Sequence, residues 1–301
     1  MNLFDLLCPP VFAHTGAVPV TVSAAVWWEW RMEWGLLAIL IFTLVGYLRL
    51  IRAAAAVEGQ VLSKGHLLRF AAGLLLLYVA AASPIDRIGE EYLFSMHMVQ
   101  HNLFMYVVAR LLLGGIPPWA AQHWYERLPR FQRLYRIISH PILACLAFNL
   151  TFTLWHIPFL YDWALRDRMV HNLEHLTMIA TALMLWLPLW SPLRDQRPAY
   201  PMQMFYLIAV AIAQLPVFAY VTFSPVVLYP TYEMAPRLTM LSAAADQQLG
   251  GVLMKINGML VLFGAFIGVA MEWYNSEQSA DLAERKLQDP TAVPRPGIQA
   301  T

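Results

Sequence analysis

Ser95-Met96-His97-Met98-Val99-Gln100-His101-Asn102-Leu103-Phe104-Met105-Tyr106-Val107-Val108 decides how this chain is read. It lies inside an apolar run from Tyr92 to Leu113. That is long enough to cross a membrane, since a hydrocarbon core about 30 Å thick takes about 20 residues of helix. Imidazoles are costly in hydrocarbon unless partnered, so His97 and His101 inside such a run mark a functional site. Further runs of the same kind extend over Trp34 to Leu50, His66 to Ala82, Pro141 to Ile157, Asn172 to Leu189, Met202 to Phe223 and Gly250 to Trp273. The expected fold is all-α: a polytopic membrane protein with seven transmembrane helices. Residues 1–33 read as an extracytoplasmic segment, 34–273 as the membrane domain and 274–301 as a polar, disordered cytoplasmic tail.

Composition agrees. Of 301 residues, 59% are hydrophobic and only 13% charged, well below the roughly 25% charged of a soluble domain. The mean hydropathy is +0.52. A net charge of +1, without a basic stripe interleaved with aromatics, argues against nucleic acid as a partner. The two cysteines, Cys8 and Cys145, form no Cys-x-x-Cys pair and no disulfide framework, so soft-metal chemistry must rest on His and Met. Met1 to Pro10 lacks the basic start of a secretory signal, although Val11-Phe12-Ala13 weakly resembles a cleavage site.

Lys and Arg placement gives an orientation. Arg49, Arg52, Lys64 and Arg69 flank one loop, Arg127, Arg130, Arg133 and Arg136 the next on that side, and Arg194, Arg197, Arg285, Lys286 and Arg295 follow. The opposite loops carry only Arg31, Arg87, Arg166, Arg168 and Arg237. The N-terminus is therefore expected outside and the C-terminus in the cytoplasm. On this map His97 and His101 lie about 8 and 14 Å below the outer end of span three. His156 lies at the outer exit of span four, and His171 and His175 open span five.

Residues four apart share a helix face, so each pair can aim two imidazoles at one point. Imidazole suits copper, zinc and iron, and thioether favours copper(I). Met96, Met98, Met105, Met178 and Met254 lie at similar or greater depth, with Met105 at i+4 from His101; each reads first as core filler. The expected metal set is His97, His101, His156, His171 and His175, with copper, as Cu(I), the ion. Glu174, Asp246, Gln247, Met98 and Met105 are auxiliary candidates, the carboxylates as acceptors orienting ring N–H groups. Cleavage after Ala13 would make His14 an N-terminal accessory ligand. His171-Asn172-Leu173-Glu174-His175 also fits the H-x-x-E-H zinc-hydrolase pattern, and one His from each of two helices would suit haem. Histidines that only hydrogen-bond between helices are the plainest alternative. Gly264 and Gly268 form a GxxxG pair, read as close helix packing, and Trp27, Trp28, Trp30 and Trp34 as an interfacial belt.

Met96-His97-Met98-Val99-Gln100-His101, Trp155-His156-Ile157-Pro158, His171-x-x-Glu174-His175 and Asp246-Gln247-Gln248-Leu249-Gly250-Gly251 occur in this order. Together they resemble the CtaG family of cytochrome c oxidase assembly factors, seven-span proteins associated with caa-type oxidases, over roughly Trp34 to Trp273. The resemblance implies a multi-pass protein of the bacterial inner membrane. It implies an assembly factor or chaperone rather than an enzyme, handling copper for a haem–copper oxidase subunit, with other copper chaperones and lipid as further partners. It maps the family's histidines onto the five named above. Lys255 and Arg110 depart from the family pattern. Glu174 or Asp246 is expected to neutralise Lys255, and Arg110 to snorkel toward the interface.

Overall fold

The computed structural model describes residues 24–288. Residues 1–23, with Cys8, His14 and the weak cleavage site, and residues 289–301 lie outside the described ones. Among the described residues all regular structure is helical. A 3₁₀ turn at Ala24–Trp28 precedes α1 (Trp34–Glu58), α2 (Lys64–Ala82) and the short α3 (Pro84–Glu91). Then come α4 (Phe94–Gly114), α5 (Pro118–Arg127), α6 (Pro129–Ile138), α7 (Pro141–Trp155), α8 (Pro158–Arg166) and α9 (Arg168–Trp190). The chain ends in α10 (Tyr200–Phe223), stepped at Gln214, the brief α11 (Pro230–Met234) and α12 (Ala243–Gln288).

Local chemistry sets these boundaries. Gly59 ends α1 with φ of 61°, a left-handed conformation that glycine adopts without strain. Ser63 caps α2 by accepting the His66 N–H, and Ser83 followed by Pro84 starts α3. Proline likewise opens α5, α6, α7 and α8. Asp167 caps α9, accepting from Met169 N at 2.8 Å and Val170 N at 3.2 Å.

Helices α1, α2, α9, α10 and α12 are each long and apolar enough to cross a membrane. The number becomes seven if the bent pairs α4–α5 (80°) and α6–α7 (65°) each count as one span. The expected spans three and four are the ones that fall short alone. His97, Gln100, His101 and Asn102 dilute the apolar character of α4, while α7 has only 15 residues, about 22 Å of helix. The bundle's exterior is apolar, as lipid requires: Phe42, Leu75, Leu150, Phe205 and Phe263 are all exposed.

Lipid tails are as apolar as leucine, so packing and interhelical hydrogen bonds must hold such a bundle together. Trp155 Nε1 donates to Thr177 Oγ1 (2.8 Å), Tyr206 Oη to Leu185 O (2.7 Å) and Tyr47 Oη to Gly115 O (2.8 Å). Residues 103–108 of α4 form a π-helical stretch, where Ala109 N–H reaches back five residues to Phe104 O. The Met105 carbonyl in that stretch accepts the Trp186 indole N–H at 2.7 Å, tying α4 to α9.

Two expectations are corrected here. No atom of another element among the described residues lies within 4 Å of where a Cβ on Gly264 or Gly268 would stand, so the GxxxG pair makes no close packing among them. Lys255 Nζ donates to Ala211 O at 3.1 Å instead of meeting Glu174 or Asp246. Arg110 is exposed, and its guanidinium lies 3.9 Å from the ring centroid of Trp190, the last residue of α9, a cation–π contact compatible with the expected snorkelling. In addition, the stretch expected as a disordered tail begins as helix: α12 continues unbroken through Asn275 to Gln288. Its Ala, Leu, Glu, Gln, Lys and Arg content explains this, since these are the strongest helix formers.

Candidate metal centre

The N-terminal ends of α4 and α9 and the C-terminal end of α7 meet at one end of the bundle, and each carries histidine. Asp246 of α12 positions α4. Its carboxylate accepts the Phe94 N–H at 2.7 Å and the Ser95 N–H at 3.4 Å, and also takes the Ser95 hydroxyl. A carboxylate on the free N–H groups of a helix start suits both their hydrogen-bonding need and the helix dipole. Close backbone approach does the rest. A Cβ on Gly89 would stand 3.0 Å from His97 Cα, and one on Gly250 would overlap the Phe94 ring.

Four of the five expected imidazoles come together. His97 Nε2 and His101 Nε2 are 2.8 Å apart. Ring centroids are separated by 4.1 Å for His171–His175, 5.5 Å for His101–His175 and 5.7 Å for His97–His171. Glu174 Oε1 lies 3.6 Å from His101 Nε2 and 3.9 Å from His97 Nε2. Ligand atoms of His97, His171 and His175 all fall within 4.8 Å of one another, as do those of His97, His101 and Glu174. The nest is closed: His97 and Glu174 are 0% exposed and His101 1%.

Buried polar atoms nearly always find partners. Here both Glu174 carboxylate oxygens, His101 Nδ1, His171 Nε2 and His175 Nε2 have no hydrogen-bond partner among the described residues. Imidazole nitrogens and a carboxylate are donors to a cation, so this set fits a borderline transition-metal ion such as copper or zinc.

His156 belongs to neither of these close groups. It packs on Tyr161, with centroids 6.3 Å apart, and the Tyr161 ring in turn lies 5.3 Å from that of His97. Its Nδ1 donates to Phe152 O at 2.6 Å, which leaves Nε2 with its lone pair. The auxiliary candidates divide. Glu174 sits within the nest. Asp246 serves as a helix cap, so it orients α4 and not a ring N–H as expected. Gln247 ties down the loop before α11, accepting from Leu228 N at 2.7 Å and donating to Val221 O and Val226 O at 3.2 Å each. Met98 and Met105 are buried in the main apolar cluster. The π-helical stretch breaks the i+4 stacking expected of Met105, and the ring that meets His175, at 4.9 Å, is that of Phe104.

The sequence reading missed the carboxylates of α3. Glu90 Oε1 lies 2.5 Å from His171 Nδ1, so Glu90 supplies the ring-orienting acceptor expected from Glu174 or Asp246. Asp86, one turn earlier, accepts from Gln100 Nε2 at 2.6 Å. Burial, with Glu90 beside it, pushes Asp86 up to about 7. The available signal was the i, i+4 spacing of Asp86 and Glu90, the same as in each histidine pair. Tyr161, Tyr229 and Tyr232 wall off the nest: Tyr161 and Tyr232 hydroxyls are 3.2 Å apart, and Tyr232 donates to Gly89 O.

Fold and site together define a multi-pass helical membrane protein with a buried imidazole–carboxylate centre. The model of the cytochrome c oxidase caa3 assembly factor family (Caa3_CtaG) matches residues 45–276, and the chain belongs to that family. Comparison with curated proteins and with solved structures found no match.

Proposed function

We propose that this protein matures a haem–copper oxidase by holding a copper ion at the imidazole nest and passing it laterally to an oxidase subunit within the membrane. The observation that carries this reading is the convergence of His97, His101, His171 and His175 around the unpartnered Glu174 carboxylate. Nitrogen donors accept copper(I), and one carboxylate offsets its charge in a medium where uncompensated charge is costly. The role is that of a carrier and not a catalyst. In this reading the chain crosses the bacterial inner membrane seven times, α4–α5 and α6–α7 each supplying one crossing. The N-terminus lies outside and the nest in the outer half of the bilayer. The Lys and Arg distribution supports that orientation.

Anaerobic copper(I) titration of the detergent-purified protein tests the proposal. Wild type should take up copper, and His97→Ala/His101→Ala should lose at least a hundredfold in affinity, about 2.7 kcal/mol. Equal binding by both would refute it. In copper-limited cells, deleting the gene should lower assembled oxidase activity; normal activity would count against the delivery role.

One observation favours a second reading. His171 and His175, with His97 as third ligand and Glu174 beside them, make the set of a zinc hydrolase. Stable stoichiometric zinc and hydrolysis of an amide or ester would establish it. The near-complete burial of His97, His101 and Glu174 favours a site that holds an ion over one that admits an amide or ester. Haem is disfavoured because the imidazole rings contact one another directly, with centroids 4.1 Å apart for His171–His175 and 4.3 Å for His97–His101.

A further inference from the structure

Asp86, Glu90 and His171 form a group of their own, their ligand atoms within 4.8 Å of one another. His171 belongs both to this group and to the nest. Its Nδ1 faces Glu90 at 2.5 Å, and its Nε2 has no hydrogen-bond partner among the described residues although the residue is only 5% exposed. The two groups differ in access. Glu90 retains 24% side-chain exposure, whereas His97 and Glu174 on the inner side are sealed. Of the nearby cations, Arg168 pairs with Glu33 and Arg87 with Glu29 and Glu91, while Arg31 pairs with Glu91 and, more loosely at 3.9 Å, with the second Glu90 oxygen, which leaves Glu90 Oε1 to face His171. Gln100 donates to both Asp86 Oδ1 and Ala80 O, fixing the Asp86 carboxylate between α2 and α4.

We infer that Asp86, Glu90 and His171 are a second, outer cation site, through which a transition-metal ion reaches the imidazole nest by way of the shared His171. This rests on the nest being a copper site. Two carboxylates and one imidazole hold copper(I) loosely, because carboxylate is a hard donor, and hold copper(II) or zinc(II) more firmly. A loose outer site suits loading. Binding at the outer set displaces the His171 Nδ1 proton to solvent. On transfer the ion breaks its bonds to Asp86, Glu90 and His171 Nδ1, forms new ones to His171 Nε2, His97 and His175, and a proton returns to Nδ1, with no change of oxidation state.

Copper(II) serves as a spectroscopic probe of the outer set. In full-length protein with His97, His101 and His175 replaced by Ala, one copper(II) should bind with an EPR spectrum of one nitrogen and otherwise oxygen ligands. Adding Asp86→Asn and Glu90→Gln should weaken it at least tenfold, and Asp86→Glu with Glu90→Asp, which keep both carboxylates, should restore part of it. If the triple variant does not fold, wild type gives the same answer: Asp86→Asn/Glu90→Gln should abolish its second copper(II) equivalent. The same double variant should load copper(I) at least tenfold more slowly while reaching wild-type occupancy. Copper(II) affinity indifferent to the two carboxylates, or an unchanged loading rate, would overturn the inference. Retained copper(II) binding at the outer set in a protein whose nest takes no copper(I) would sink the delivery reading and leave the outer site standing.

Discussion

Glu174 is the residue on which the chemistry of the nest turns. It is fully buried, its oxygens lack hydrogen-bond partners among the described residues, and it lies 3.6 Å from His101. Glu174→Gln preserves shape and removes the charge that a cation would meet. Copper(I) affinity should fall about tenfold, or about 1.4 kcal/mol, measured by competition with a chromophoric chelator; unchanged affinity would remove Glu174 from the site. His156→Ala should cost less than His175→Ala in the same assay, because His175 shares a group of close ligand atoms with His97 and His171 and His156 joins no such group. At this scale the histidine pairs were legible, since i, i+4 spacing on an apolar helix fixes a shared face. Glu90 was not: its helix has eight residues and reads as a loop between spans. Nothing in a linear sequence says that α3 folds back onto α9.

Among the elements, α4 shows how tertiary contacts complete what local sequence leaves open. Leu93 offers no side-chain cap, so the start of α4 depends on Asp246, 152 residues away. Asp246→Ala would leave buried N–H groups unpaired, at about 1–3 kcal/mol. The melting temperature in detergent should drop, with copper affinity falling alongside because His97 and His101 ride on that helix. Asp246→Asn, which keeps an acceptor oxygen, should lose less; equal stability of all three would show that the cap does not matter. Helix positions were legible because apolar length is set by bilayer thickness. The π-helical stretch was not, and it redirected Met105. Such a turn is imposed by packing, here with the Trp186 indole on the Met105 carbonyl, and has no pattern in residue type.

For the molecule as a whole, the test is orientation. Met240 is fully exposed in the loop before α12, at the end of the bundle that holds the nest. In a Cys8→Ser/Cys145→Ser background, Met240→Cys should react with a membrane-impermeant thiol reagent in intact spheroplasts, whereas Arg133→Cys should react only after lysis. The reverse pattern would invert the topology. The lengths of the apolar runs made an all-helical, multi-span plan readable, but not the bends between α4 and α5 or α6 and α7, which follow from Pro118 and Pro141 meeting tertiary packing. Helix α12 adds a mechanical consequence. Its 46 residues make a rod about 69 Å long, with Asp246 clasping the histidine helix near one tip and Gln288 far outside the bundle at the other. A tilt of about 5° about its midpoint swings each tip by about 3 Å, the length of a hydrogen bond. Whatever leans on the distant tip therefore acts, through a single lever, on the clasp that sets where two of the imidazoles stand.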